Sequence, residues 1–209
     1  MKRLIILIVT FIAVTLISVG CSDLYDKDKR PTISMNPDSE YIKTFEDLSL
    51  GILFDFEFYL PEADQRWVNL WVEKYENGKK ASEPFGQLTY DLSPQEESED
   101  HLGFGMINPN SEDTSLFLYG PGVKSHSSIT DTNINNETGK ATSWGYALGD
   151  EEELKLNLGE PTILATYRKS KDGSISTVDL KDEESIENMI SENEFVLLLK
   201  IEVTEEKNE

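Results

Sequence analysis

Residues 48–60, LSLGILFDFEFYL, limit the fold more than any other stretch of the chain. Leu48, Leu50, Ile52, Phe54, Phe56 and Phe58 alternate with Ser49, Gly51, Leu53, Asp55, Glu57 and Tyr59. A period of two puts one set of side chains on one face of a strand, whereas on a helix it would scatter them around the axis. The stretch therefore predicts a long strand with one apolar face. The run EFVLLLKIEV at 194–203 repeats the pattern, with Phe195, Leu197, Leu199, Ile201 and Val203 on one side.

Between these runs lie further short strand-like segments. RWVNLWVEKY (66–75) fits two periods: Val68, Leu70 and Val72 on a strand face, or Trp67, Leu70, Trp71, Lys74 and Tyr75 on a helix face. Its β-branched and aromatic content, with Asn77-Gly78 directly after it, favours a strand and hairpin, and GQLTYDL (86–92) reads as the return. HLGFGMI (101–107), TSLFLYG (114–120), SWGYAL (143–148), ELKLNLG (153–159) and PTILATYRKS (161–170) read as strands, and 121–142 as a long polar loop. Asp172-Gly173 marks a tight turn. DEESIENMIS (182–191) is the helix candidate, with Asp182 as its cap and Ile186, Met189 and Ile190 as its apolar stripe. Eight or nine short strands with one helix near the C-terminus predict a mostly β, antiparallel, β-sandwich-like domain over 45–209.

The N-terminus is of a different kind. Met1-Lys2-Arg3 precedes an uncharged run over 4–20, and the chain's one cysteine, Cys21, follows directly. A basic start, an apolar stretch and small residues at its end form a secretory signal over 1–20. The alternative is a retained membrane anchor, although the run is at the short limit for crossing about 30 Å of hydrocarbon. Leu16 and Ile17 followed by Val19-Gly20-Cys21 resemble the lipobox of bacterial lipoproteins, with Ser18 where that family more often has Leu. The resemblance implies cleavage before Cys21, a thioether-linked diacylglycerol on its thiol, and a domain held to the lipid bilayer on the extracytoplasmic side of a bacterial cell membrane. Two acyl chains give a lasting anchor where one binds reversibly. Residues 22–44 are polar, charged and contain two prolines, so 21–44 reads as a tether from lipid to domain.

A chain cut before Cys21 keeps 17 Lys and Arg against 40 Asp and Glu, a net charge of −23. Such acidity disfavours nucleic acid and any polybasic contact with anionic lipid, since both need clustered cations. With its only thiol acylated, the domain has no disulfide, thiolate nucleophile or cysteine metal site.

No catalytic motif emerges, and the expectation is a protein that is not an enzyme. His101 and His126 are the only histidines. Ser125 and Ser127 flank His126 but point away from it on an extended chain. Calcium is the one cofactor to consider: Asp131, Asn133 and Asn135 start like an EF-hand loop, but Asn136 and Thr142 stand where its glycine and bidentate glutamate belong. A plain Asn-rich surface loop is favoured. GDEEE (149–153) reads as a turn with solvated carboxylates.

If 66–75 is a strand, Trp67, Trp71 and Tyr75 share the face opposite Val68, Leu70 and Val72, a candidate surface for a glycan or protein partner. The alternative is that a helix or second sheet covers them. Trp144 and Tyr146 invite the same question. Three function classes follow: a ligand- or protein-binding accessory module, a carboxylate-based hydrolase of cell-wall or carbohydrate substrates, and a structural partner of a membrane complex.

Overall fold

The computed structural model describes residues 29–91, 93–109, 111, 114–129, 140–149 and 151–205. The protein is mostly β, with two antiparallel six-stranded sheets packed face to face. In chain order the elements are β1 (Thr32–Met35), α1 (Glu40–Asp47), β2 (Gly51–Pro61), β3 (Trp67–Glu76), β4 (Lys79–Lys80), β5 (Gly86–Asp91), β6 (Glu97–Ile107), β7 (Thr114–Gly120), β8 (Val123–Ile129), β9 (Thr142–Tyr146), β10 (Leu154–Lys155), β11 (Thr162–Ser170), α2 (Glu183–Glu192) and β12 (Asn193–Thr204). One sheet runs β10-β1-β2-β6-β7-β8. The other runs β4-β3-β12-β11-β9, with β5 also paired to β3.

The two alternating runs supply the centre. Ile52, Phe54, Phe56, Phe58 and Leu60 of β2 meet Leu70 and Val72 of β3 and the odd-numbered apolar residues of β12 in one core. Residues 67–76 are a strand, and Asn77 and Gly78, at φ 50° and 82°, make the turn at its end. β5 is the return strand, with Leu88 opposite Leu70.

Each sheet carries a helix on its outer face. Asp182 caps α2 by accepting from the Ser185 amide at 2.8 Å. Met189 of α2 is buried against Val196 and Leu198 of β12. Helix α1 packs over β2, with Ser39 accepting from the Ile42 amide and Phe45 tilted on Phe117 at 5.7 Å.

Four boundaries differ from the sequence expectation. The proposed tether at 21–44 is part of the domain from β1 onward: Ile33 is fully buried and β1 is paired on both edges. β1 has only four residues beside a proline, too few to register as a period. β2 starts at Gly51, because Leu48 ends α1 and Ser49 turns the chain at φ 52°. The loop at 121–142 contains β8, a sheet edge paired by its backbone to β7 although VKSHSSI has no apolar alternation. The strand expected over 153–159 contracts to Leu154–Lys155.

Candidate functional site

Cys21, Asp131, Asn133 and Asn135 lie outside the described residues. Trp67, Trp71 and Tyr75 do share the outer face of β3, where all three are half-buried. Two of them are tied to one carboxylate. Glu73, 6% exposed, accepts from Tyr75 Oη at 2.7 Å, Trp71 Nε1 at 3.3 Å and Lys80 Nζ at 2.6 Å, and pairs with Lys200 Nζ at 3.2 Å. Burial opposes its charge, but the Lys80 and Tyr75 hydrogen bonds, the Lys200 charge and the Trp71 bond outweigh it and hold its pKa at about 2. Burial and the Glu73 bond push the Tyr75 hydroxyl up. Tyr75 also packs on the Met189, Val196 and Leu198 cluster. Trp71 and Tyr75 thus belong to a polar network around Glu73.

A second polar cluster sits on the outer face of the other sheet. Asp55, fully buried, accepts from Tyr119 Oη at 2.6 Å and faces His101 Nδ1 at 3.0 and 3.2 Å. Tyr41 of α1 meets His101 edge-on at 5.1 Å. Burial, with Asp55 as hydrogen-bond acceptor, pushes the Tyr119 hydroxyl up. β6 makes room for this layer with glycine: a Cβ at Gly103 would lie 2.1 Å from the Phe54 carbonyl, and one at Gly105 would lie 2.1 Å from the Phe117 ring. Among the described residues no serine, threonine or cysteine bonds to the His101 ring, so Asp55 orients an imidazole without a nucleophile. The signal for this cluster was a lone Asp between Phe54 and Phe56, with G-x-G one strand away.

The two aromatics of β9 part company. Tyr146 packs edge-on to Phe54 and Phe56 at 5.4 and 5.1 Å, and burial helps push its hydroxyl up to about 12. Trp144 is 53% exposed. It pairs across the strands with Tyr167, so both point toward the space between the sheets. There, where β2 begins and β6 ends, a cleft of 530 Å³ opens, lined by Ser49, Asn108, Ser111, Thr142, Trp144 and Tyr167 among others, with no charged side chain among the described lining residues. Tyr167 is 1% exposed, and among the described residues its hydroxyl has no hydrogen-bond partner. Burial pushes that hydroxyl up; Thr142 beside it opposes the shift without completing a bond in hydrogen-bond geometry.

Among the described residues no three His, Cys, Asp or Glu side chains converge to hold a metal ion, and no helix is long and apolar enough to cross a membrane. An antiparallel two-sheet sandwich with a cleft at one end is the class that fold and site define. The YgaN domain family matches residues 49–203, and the chain belongs to it. That span runs from the approach to β2 into β12 and leaves out β1 and α1. No curated protein and no solved structure matches the chain.

Proposed function

We propose that this YgaN-domain protein is a lipid-anchored, extracytoplasmic binding module of the bacterial cell membrane. Cys21 carries the lipid, and the domain takes a neutral ligand, such as a glycan segment, in the end cleft. The observation that carries the binding reading is the cleft itself: an exposed indole beside hydroxyl and amide side chains. An indole face stacks on a sugar ring while hydroxyls and amides bond its periphery. A carboxylate hydrolase needs two acids about 5 to 9.5 Å apart across the scissile bond. Among its described lining residues the cleft supplies none.

The anchor is tested by Cys21→Ser, followed by membrane fractionation and by the mass of the processed chain. The expected result is release of the domain from membranes or an unprocessed precursor. Normal processing with full membrane retention would overturn the lipid anchor.

A further inference from the structure

Three cationic side chains are buried among the described residues: Arg66 at 3% exposure, Lys169 at 1% and Arg168 at 8%. Two of them have an acid. Arg66 Nη2 meets Glu62 at 2.8 Å, and Lys169 Nζ lies 3.9 Å from Glu194. Arg168 has none. Its Nη1 donates to the Ser176 carbonyl at 3.1 Å, and its Nε is buried without a partner among the described residues. Burial lowers its pKa. A buried cation without a counter-charge is expensive, and this chain has 40 Asp and Glu from which to draw one.

Arg168 lines a cavity of 350 Å³ between the outer face of β9 and β11 and the segment 175–180. Ser143, Thr166 and Thr177 bring hydroxyls to it, Val178, Leu180 and Met189 bring apolar surface, and no acid lines it among the described residues. Gly145 keeps it open, since a Cβ there would meet nothing within 4 Å. We propose that this cavity binds a small organic monocarboxylate with an aliphatic body, whose carboxylate is the missing partner of Arg168. A guanidinium matches a carboxylate in two parallel hydrogen bonds. The apolar wall selects an organic body over an inorganic ion. A net charge of −21 weighs against dianions more than monoanions. Trp144 borders both this cavity and the end cleft, but Arg168, Ser143 and Thr166 lie on the other face of the sheet from Tyr167, and the inference stands apart from the neutral ligand proposed there.

The test is calorimetric titration of the full chain with hexanoate, with hexanol as its uncharged counterpart and with inorganic phosphate. Hexanoate is expected to bind saturably, and hexanol and phosphate not to bind at the same concentrations. Arg168→Met removes the charge and should weaken hexanoate at least about tenfold, the scale of a charge-assisted hydrogen bond. Gly145→Val narrows the cavity without removing Arg168 and should also weaken hexanoate, which keeps the test sound if the arginine variant folds poorly. Absence of saturable hexanoate binding, equal affinity in wild type and Gly145→Val, or binding of phosphate alone would each overturn the proposal.

Discussion

Glu73 and Arg168 occupy the same outer face of one sheet, with β12 between them. Leu198 stands opposite Glu73 and Val196 opposite Arg168. Both side chains are charged and buried, yet their surroundings are opposite. Glu73 has two lysines, a tyrosine and a tryptophan; Arg168 has one backbone carbonyl. They cannot serve one another, because Glu73 lies two strands from β11, at about 4.8 Å per strand, with Val196 and Leu198 filling the space between. A saturated buried charge holds structure together, whereas one left with open valence sites is arranged for something that arrives later.

Glu73→Gln should give the largest effect, a loss of about 2–3 kcal/mol in urea unfolding at neutral pH, because it removes the charge from four converging donors. The same carboxylate predicts an acid limb. Its folded pKa of about 2 lies below the usual 4.5, so its stabilisation is complete above about pH 4.5 and lost as pH falls toward 2. Urea midpoints between pH 5 and 2.5 should fall steeply in wild type and more shallowly in the variant; parallel curves would remove Glu73 as the source. Arg168→Met should behave in the opposite sense, neutral or stabilising by up to about 1 kcal/mol in ligand-free protein, because an unpaired buried charge is replaced by an apolar side chain. A loss above about 2 kcal/mol would mark the Ser176 bond as a clamp and erase the contrast. The smallest change in stability belongs to Trp144→Ala, within about 0.5 kcal/mol by thermal midpoint for a side chain more than half exposed. That variant should lose the tryptophan fluorescence response to a neutral oligosaccharide, and an unchanged response would move the ligand away from the end cleft.

Strands with a long core-facing apolar row announced themselves. β2 and β12 show that row at period two although α1 and α2 also bury parts of their outer faces, and α2 carried both its cap and its stripe. β11 is harder to interpret from its letters, since Leu164 through Ser170 are all buried and alternation disappears when both faces are covered. Arg168-Lys169 accordingly resembles an ordinary solvated pair in the sequence. β1 and α1 escaped notice because both are short and α1 is largely charged, and Ile33 and Ile42 alone mark their buried sides. Trp144 was visible as a candidate, but the end cleft was not: Ser49, Asn108, Thr142 and Tyr167 come from four separated segments and meet only through the registers of two sheets.

The pairing of β1 also sets a height. With Cys21 in the bilayer as proposed, a tether reaching residue 44 would let the domain drift roughly 80 Å from the membrane. Because Thr32 is already stitched between β2 and β10, ten residues remain between lipid and fold, a maximum of about 35 Å. The domain is then a short-leashed fixture that works close to the lipid surface, on ligands or neighbours found there, rather than a probe extended outward into the wall.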